Sequence, residues 1–345
     1  MVVAPFFIKP IYNMFEKVSP SHPDKLADRI AGAIVDLAYT KAKNPRIATE
    51  VLLGHGECNI QVETSEQISA EDIGAIVERI AGEDIETRAL IVPQDCHLAA
   101  NQRQGVRCGD NGIFKGVPPT HEQKLLTAIA ASIYEQHPFD GKYIIGDYKR
   151  NMAYKQDDPR GHMIVPSVKG RKSHAITICQ SHATNDELLK LWFEFFERQG
   201  GEKWGPHVAT IGKGSNKHYY SPFINPLGEW TGGPNTDSGA TNRKLGSDMG
   251  DGVTGGGLMG KDLSKCDVSV NIVCFLKAVH SGQVVTAICS IGDENVTFQY
   301  AGGKTETETF VDVVEQARLY VLTDCGGSFE RFAEWGLIRP NFPIE

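Results

Sequence analysis

Strand-like stretches of this sequence come in pairs, and each pair is accompanied by a stretch with helical periodicity. After Pro23, apolar residues recur at Leu26, Ile30 and Ile34, which is the spacing of one helix face. Further helix-like stretches lie at 73–80, 125–133, 184–195, 268–278 and 310–322, and strand-like stretches at 46–53, 59–64, 89–92, 143–146, 175–179, 284–290 and 296–300. Two strands and a helix, repeated about three times, predict an α+β protein with three related layers, because a doubly wound parallel sheet would alternate single strands with helices.

The composition is that of a globular chain with an acidic surplus. The 345 residues include 35 Lys and Arg against 43 Asp and Glu, a formal net charge of −8. Such a chain is a poor match for nucleic acid or anionic membranes, so we expect neither partner. No apolar run approaches the ~20 residues of a membrane span, and residues 1–15 lack the basic start of a secretion signal. The eight cysteines form no C-x-x-C pair, so we expect a cytoplasmic protein with reduced thiols and no zinc site.

The chain contains 36 glycines, many of them between residues 250 and 260 beside several Lys and Arg residues. Gly255, Gly260 and Lys261 have the spacing of a phosphate loop. Asp262, however, stands where such a loop needs Ser or Thr to bind Mg²⁺, which argues against a P-loop NTPase. Glycine permits close backbone approach, so the N–H groups of this loop can point at an anion. Two interpretations are open from these residues alone: an anion site, and a solvated loop with surface lysines.

Two short segments also allow a structural and a functional interpretation. His22, Pro23 and Asp24 open the first helix, where Ser21 and Asp24 could simply form a capping box. The same tripeptide occurs in J-domain cochaperones, but no basic helix precedes it here. Glu50 lies among apolar neighbours on a strand and is either an edge glutamate facing water or a ligand for a cation. Residues 104–112 alone indicate only a cluster of turns.

Three long segments in the same order resemble the S-adenosylmethionine synthetase (methionine adenosyltransferase) family. They are 16–25 (Glu-Lys-Val-Ser-Pro-Ser-His-Pro-Asp-Lys), 232–244 (Gly-Gly-Pro-Asn-Thr-Asp-Ser-Gly-Ala-Thr-Asn-Arg-Lys) and 255–267 (Gly-Gly-Gly-Leu-Met-Gly-Lys-Asp-Leu-Ser-Lys-Cys-Asp). The resemblance extends from about residue 16 to the C-terminal Phe-Pro-Ile-Glu. It implies an α+β fold of three βαββ-type subdomains around a pseudo-threefold axis. We place these subdomains at 10–107, 108–232 and 233–345, with strands exchanged between them.

The family joins ATP to L-methionine: the thioether sulfur attacks C5′ and expels tripolyphosphate, which is then hydrolysed to pyrophosphate and phosphate. A thioether carries no proton on its attacking lone pair, so the reaction needs no general base. It needs preorganised cations for a highly anionic leaving group. The resemblance implies that Arg243, Lys244 and Lys261 bind the polyphosphate. It also implies that His22 donates a hydrogen bond to the oxygen that leaves C5′.

The resemblance further implies two Mg²⁺ ions per site and one K⁺ ion. Asp24 and Asp267 match the Mg²⁺ ligands, which is a task for hard oxygen donors, and Glu50 matches the K⁺ ligand. The remaining matches are Asp147, Lys149, Trp230, Asp237 and Leu258 for ATP, and Glu63, Gln104, Asp237 and Lys265 for methionine. Trp230 would stack on adenine, although it could also be a core residue after a hairpin turn.

The quaternary structure that the resemblance implies is a homodimer, or a tetramer of such dimers. Large flat sheets of two subunits pack together, and two active sites lie between them. Glu50 and Glu63 would then serve the site of the partner subunit.

This sequence also departs from the family pattern. Between Gln104 and Gly109 it lacks most of the mobile gating loop. Asn111 replaces a usual glutamine, and the run that ends at Gly260 is one residue shorter than usual. Because a lid normally excludes water from such a reaction, these departures predict altered gating or altered thioether selectivity in a divergent member of the family.

Two other functions remain as alternatives. One is a tripolyphosphatase or ATP-hydrolysing relative that has lost methionine alkylation, and the presence of Glu63, Gln104 and Lys265 argues against it. The other is a regulatory subunit that binds nucleotide without turnover, and the presence of His22 and Asp267 argues against that.

Overall fold

The computed structural model describes residues 14–103, 105–147 and 172–344. The helices of this part are α1 (Pro23–Lys41), α2 (Ala70–Ala81), α3 (Cys96–Arg103), α4 (His121–Tyr134), α5 (Asn185–Arg198), α6 (Leu245–Met249), α7 (Cys266–Ser281), α8 (Phe310–Thr323) and α9 (Phe329–Trp335). Its strands are β1 (Phe15–Val18), β2 (Ile47–Gly54), β3 (Glu57–Thr64), β4 (Glu86–Pro93), β5 (Gly112–Gly116), β6 (Gly141–Asp147), β7 (Lys172–Gln180), β8 (Glu202–Trp204), β9 (Val208–Ile211), β10 (His218–Ile224), β11 (Gly239–Ala240), β12 (Val285–Cys289), β13 (Asn295–Tyr300) and β14 (Thr305–Thr309). The predicted α+β class is confirmed.

Three sheets organise these elements. The central sheet has the order β1-β6-β7-β10-β9-β8, the amino-terminal sheet β11-β2-β3-β4, and the carboxy-terminal sheet β14-β13-β12-β5. Strands β3 and β4 pair in parallel, as do β7 and β10, whereas the other pairs are antiparallel. The subdomain boundaries at residues 107–108 and 232–233 stay a prediction.

Each sheet includes one strand from a distant part of the chain. Strand β1 pairs with β6, β5 pairs with β12, and β11 pairs with β2, where Gly239 lies opposite Leu53. Because β11 lies inside the segment 232–244, this pairing carries that segment to the amino-terminal sheet and to the start of α1.

One face of each sheet is covered by helices and the other is open. In β3, Cys58, Ile60 and Val62 are buried and the alternate residues are exposed, as expected for a half-buried strand. Helices α1 and α2 pack on the amino-terminal sheet, α7 and α8 on the carboxy-terminal sheet, and α4 and α5 on the central sheet. The open faces carry apolar residues, and Leu90 is 56% and Ile288 70% exposed. No helix in the described ranges has the length and apolar character needed to cross a membrane.

Helix starts follow their local sequence. Thr184 caps α5 in a reciprocal capping box with Glu187, which confirms the helix start predicted there. The capping box considered for Ser21 and Asp24 does not form. Instead, His22 is the N-cap of α1, and its side chain accepts the backbone N–H of Asp24. The hydroxyl of Ser21 donates to the carbonyl oxygen of Pro138.

Candidate active site

The segment 232–244 contacts the start of α1 through a glycine. A Cβ on Gly239 would lie 2.0 Å from the carbonyl carbon of Pro23, so a larger residue could not approach this closely. The next residue, Ala240, donates its N–H to Asp24 Oδ1 at 2.8 Å. The pairing of β11 therefore fixes the position of a buried carboxylate at the first turn of α1.

Two predicted polyphosphate ligands face this carboxylate. Arg243 Nη1 lies 3.5 Å from Asp24 Oδ1, and Lys244 Nζ lies 3.7 Å from Asp24 Oδ2. Lys244 Nζ also lies 3.3 Å from Glu16 Oε1. Because the side chain of Arg243 is 56% exposed, its guanidinium remains open to a ligand.

His22 is buried beside Asp24 and is neutral. Its Nδ1 accepts the N–H of Asp24 at 3.1 Å, so the proton of the neutral ring is assigned to Nε2. Burial, together with the positive charges of Lys142 and Lys244, lowers the pKa of His22 to about 3. The 3.8 Å separation between its ring and the Asp24 carboxylate is therefore not an ion pair. Nε2 is buried with no hydrogen-bond partner in the described part of the chain, so a bound ligand could accept from it.

Asp140 and Lys142 lie beside the predicted ATP ligands Asp237 and Trp230, although neither belongs to the set that the resemblance implies. Lys142 Nζ lies 3.3 Å from Asp237 Oδ2 and 6.0 Å from the centre of the Trp230 ring. Asp140 Oδ2 accepts the N–H of Gly233 at 2.8 Å. Burial raises the pKa of Asp140 to about 6, although the hydrogen bond from Gly233 and the positive charge of Lys142 favour the ionised form. The hydrogen bond from Lys142 lowers the pKa of Asp237, although partial burial opposes that shift.

A sequence signal for this pair existed. Asp140-Gly-Lys142 and Asp147-Tyr-Lys149 have the same D-x-K pattern. The resemblance implies ATP ligands at the second of these, Asp147 and Lys149. Strand β6 begins at Gly141 and ends at Asp147, so its start borders Asp237 and Trp230. The side chain of Asp147, the whole of Lys149 and Gln104 lie outside the described residues, and their roles stay predictions.

The glycine loop is attached to the segment 232–244 by one side chain. Asn242 Oδ1 accepts the N–H groups of Leu258 and Met259 at 2.8 and 2.9 Å. The N–H groups of these two residues therefore do not point at an anion, contrary to the expectation for the loop as a whole. Since the N–H of Leu258 is already bound to Asn242, the predicted main-chain contact of Leu258 with the nucleotide would be made by its carbonyl oxygen.

Lys261 follows the loop and is held between two parts of the site. Its backbone forms a β-bridge with Ala48 in β2, and its Nζ lies 2.6 Å from Asp267 Oδ2. Although burial opposes it, the attraction of Asp267, followed by that of Glu50 and Asp110, raises the pKa of Lys261. The structure thus brings a predicted polyphosphate ligand next to a predicted Mg²⁺ ligand.

Lys265 is the N-cap of α7, and its Nζ lies 3.8 Å from Asp110 Oδ2. Asp110 lies in the turn cluster at residues 104–112, where the sequence by itself indicates no role for it. Because Asp110 and Lys265 are 155 residues apart in sequence, their pairing depends on the fold.

Behind the site lies a buried charge cluster that spacing did not reveal. Lys25 Nζ lies 3.0 Å from Asp28 Oδ2 and 2.8 Å from Asp248 Oδ1, and all three residues are at most 1% exposed. Burial raises the pKa of Asp28 to about 7, against the attraction of Lys25. Because the carboxyl groups of Asp28 and Asp248 share one ammonium group, the cluster ties α1 to α6.

Glu50 and Glu63 lie on the open face of the amino-terminal sheet. Glu50 accepts a hydrogen bond from Thr241 Oγ1, whereas Glu63 is exposed on β3 opposite Ala48. Within the described residues, no hydrogen bond or ion pair joins Glu63 to the other predicted ligands. The single chain therefore does not bring Glu63 into the cluster around Asp24.

The arrangement pairs nearly every site cation with a carboxylate. Those pairs are Arg243 and Lys244 with Asp24, Lys261 with Asp267, Lys265 with Asp110, and Lys142 with Asp237. A ligand that brings both an anion and a divalent cation could replace all these pairs, since the anion would face the cations and the metal the carboxylates. Among the described residues, no group of three or more His, Cys, Asp or Glu side chains is arranged to hold a metal. The carboxylate oxygens of Asp24 and Asp267 nevertheless fit a hard divalent cation that keeps water or phosphate ligands.

Comparisons with known proteins agree with this arrangement. The N-terminal domain of S-adenosylmethionine synthetase, as a family description, matches residues 11–90. The S-adenosylmethionine synthase of Tropheryma whipplei (strain Twist) is 27% identical over 339 residues, covering 86% of this chain and 80% of the relative. That of Helicobacter acinonychis (strain Sheeba) is 24% identical over 337 residues, covering 89% and 80%. A solved structure of an unusual S-adenosylmethionine synthetase from Campylobacter jejuni has the same fold, with a TM-score of 0.61, 18% identity and coverage of 95% and 94%.

The fold is α+β, and the relatives that the chain matches are S-adenosylmethionine synthases. The low identities show that it has diverged from the relatives it matches. The chain is thus similar to S-adenosylmethionine synthetases over most of its length, and the family description matches its residues 11–90.

Proposed function

We propose that this protein is a methionine adenosyltransferase, which forms S-adenosylmethionine from ATP and L-methionine and cleaves the tripolyphosphate product to pyrophosphate and phosphate. The observation that carries the proposal is the convergence of two distant segments, 16–25 and 232–244, on Asp24. They place the neutral His22 donor, Arg243 and Lys244 around one buried carboxylate. A polyphosphate chelated to a metal is the ligand whose charges match such a group.

In the first step the methionine sulfur uses a lone pair to form the S–C5′ bond. The C5′–O5′ bond breaks, and tripolyphosphate leaves with its electron pair. The Nε2–H of His22 would donate a hydrogen bond to O5′ as negative charge develops there. Because the pKa of His22 is about 3, the ring stays neutral at physiological pH, so it donates a hydrogen bond without transferring its proton.

The leaving tripolyphosphate is then held by charge. Arg243 offers a fork of N–H groups to one phosphate, whereas Lys244 and Lys261 act as point charges. Each of the three must exchange its carboxylate partner for a phosphate, and bound Mg²⁺, held by Asp24 and Asp267, would neutralise further phosphate charge. The same cations would hold tripolyphosphate while water hydrolyses it.

The binding of the remaining substrate groups is also proposed. Trp230 would stack on adenine, and Asp237 and Lys142 would lie at the edge of the nucleotide. Lys265 would bind the methionine carboxylate, with Gln104 nearby and Glu63 facing the methionine ammonium. Glu50 would hold the K⁺ ion through its carboxylate, next to Thr241.

A homodimer would explain why Glu63 lies apart from the other ligands. The open face of the amino-terminal sheet contains a depression of about 640 Å³ lined by Glu50, Gln61, Leu90 and neighbouring residues. If this face packs on a second subunit, Glu50 and Glu63 can serve the partner's site. Leu90→Glu should then lower both the dimer fraction in sedimentation equilibrium and the specific activity. A fully dimeric, active Leu90→Glu variant would contradict this assembly.

The short connection between α3 and β5 supports a change in gating. Cys108 within it is buried, and its N–H donates to the carbonyl oxygen of Asp293 at 2.9 Å. A connection anchored in this way cannot swing as a long lid does. We therefore expect broader tolerance of thioether size, measured as kcat/KM for ethionine relative to methionine.

The central test is direct. Protein incubated with ATP, methionine, Mg²⁺ and K⁺ should yield S-adenosylmethionine, phosphate and pyrophosphate in equal amounts, detected by mass spectrometry and phosphate assays. Phosphate release that does not depend on methionine would instead indicate a tripolyphosphatase or ATP-hydrolysing relative. Nucleotide binding in calorimetry with no product of either kind would indicate a regulatory subunit.

A further inference from the structure

We propose that Asn242 is a positioning residue that sets the distance between the two groups of phosphate-binding cations, and that Asp28 holds Asn242 in place. The proposal rests on the proposed function, because it concerns how the same site binds tripolyphosphate. Neither residue belongs to the set that the sequence resemblance implies.

The contacts of Asn242 use its backbone and both ends of its side chain. Its N–H donates to Asp28 Oδ1 at 2.8 Å. Its Oδ1 accepts the N–H groups of Leu258 and Met259, and its Nδ2 donates to the carbonyl oxygen of Met259 at 3.3 Å. One side chain thus fixes three successive peptide groups of the glycine loop.

The fit around this side chain is close. A Cβ on Gly257 would lie 2.7 Å from Asn242 Nδ2, so the amide occupies the space that a side chain at 257 would need. Asn242 itself has a φ of 62°, the left-handed region in which asparagine is among the few tolerated residues other than glycine. Glycine would adopt this backbone more easily, so the backbone alone does not account for an asparagine here.

The contacts of Asn242 affect the positions of the three phosphate-binding cations. Arg243 and Lys244 follow it directly, and Lys261 comes two residues after Met259. The distance between the first two cations and the third therefore depends on the Asn242 bonds. Since all three would bind one tripolyphosphate, a small change in that distance should reduce both binding and turnover.

Asp28 connects this unit to the interior. Its Oδ1 accepts from Asn242, and its Oδ2 pairs with Lys25, which also binds Asp248. The loop, the cations and the first helix are thus joined to one buried cluster, which limits how far the loop can shift when phosphates bind.

The experiment compares Asn242→Gly with Asn225→Gly. Asn225 is an apt control because it too has a positive φ, and its buried side chain accepts a backbone N–H from Gln180 and donates to the Gln180 carbonyl. Both variants keep the left-handed backbone and lose only side-chain bonds. Circular dichroism and thermal unfolding establish that each is folded.

We expect Asn242→Gly to lower kcat by about 10- to 100-fold and to weaken inhibition by added tripolyphosphate by a similar factor. The KM for methionine should change by less than about twofold. Asn242→Asp keeps the acceptor for both N–H groups but places a negative charge beside the phosphates, so its loss should be larger at low than at high Mg²⁺. Asn225→Gly should keep the wild-type kcat.

Two results would overturn the proposal. One is a folded Asn242→Gly variant with wild-type kcat and wild-type tripolyphosphate affinity. The other is an equal loss of kcat in Asn225→Gly, which would show a general effect of stability. If Asn242→Gly does not fold, Asn242→Ser decides, because it also removes the side-chain amide, and wild-type kcat with wild-type tripolyphosphate affinity in that variant contradicts the positioning role. If the wild-type enzyme makes no S-adenosylmethionine, the proposed function fails, and tripolyphosphate affinity in calorimetry still tests Asn242 by itself.

Discussion

Replacing Asp140 with asparagine should remove a pH dependence from the stability of this protein. Asp140 is 3% exposed, and its Oδ1 is buried with no hydrogen-bond partner in the described part of the chain. Burial raises its pKa from 3.8 to about 6, although the Gly233 N–H and Lys142 favour the charged form. Asparagine has the same shape and can still accept the Gly233 N–H, but it has no charge to bury.

The sign of the effect follows from proton binding in the two states. Below pH 4 the carboxyl is protonated in both the folded and the unfolded chain, so it contributes no pH dependence. Between about pH 4 and pH 6 the unfolded chain releases the proton first, and the free energy of unfolding falls as the pH rises. Above about pH 6 the Asp140 carboxyl is charged in both the folded and the unfolded chain, and the reduction in the free energy of unfolding no longer changes with pH. A pKa shift of about 2 corresponds to about 3 kcal/mol.

The measurement is urea unfolding of wild type and Asp140→Asn at several pH values between 4 and 7. Groups other than Asp140 contribute equally to both proteins, so the difference in unfolding free energy isolates this carboxyl. It should shift in favour of the variant by about 3 kcal/mol as the pH rises through this range. The exposed Asp84 provides a control, because Asp84→Asn should show no such shift. A difference that is independent of pH would falsify the argument from burial.

Four further changes test the site and the interior. Lys261→Ala should lower kcat by about 10²- to 10³-fold, measured as S-adenosylmethionine formation, and Lys203→Ala on the exposed strand β8 should not; equal rates in both variants would exclude Lys261 from phosphate binding. Lys25→Met should destabilise the protein by about 3–5 kcal/mol in urea unfolding, since it leaves two buried carboxylates without a cation. Arg79→Ala removes a pair between the 55%-exposed Arg79 and the 18%-exposed Glu330. It should cost less than about 1 kcal/mol, and a larger loss would contradict the view that the exposure of Arg79 weakens the pair. Asp267→Asn should raise the Mg²⁺ concentration needed for half-maximal activity, and an unchanged requirement would argue against that metal ligand.

The long helices and strands could be predicted from the sequence because their signals are local. Apolar spacing in α1 and the reciprocal cap of Thr184 and Glu187 depend on residues within a few positions of each other. The short strands gave no such signal. Strand β11 has two residues and exists because Gly239 and Ala240 pair with β2, almost 190 residues away in sequence. Such a strand forms only because it pairs with a strand far away in sequence, so the periodicity of its own residues cannot predict it.

The site was predicted in part for the same reason. The family resemblance indicated His22, Asp24 and Arg243 as site residues, and the structure brings these three together. Spacing alone could not choose between Asp140-Gly-Lys142 and Asp147-Tyr-Lys149, because both have one residue between the acid and the base. The choice depends on which end of β6 faces Asp237.

The role of Asn242 was also beyond sequence reasoning. Asparagine before a basic pair is an ordinary surface pattern, and nothing in the spacing relates it to residues 258 and 259. Its importance depends on a loop that comes 16 residues later and folds back onto it.

The exchange of strands between sheets has a consequence for how this protein folds during synthesis. Lys25 and Asp248 are separated by 223 residues, and β11 joins the amino-terminal sheet only after most of the chain has been made. Closing so long a loop is slow, since its entropy is lost before the contacts form. Until then the emerging chain carries Asp24, Asp28 and Lys25 without their later partners. The proposed site is therefore complete only after Asp267 has left the ribosome, so binding of the proposed substrate ATP would report that the distant segments have come together.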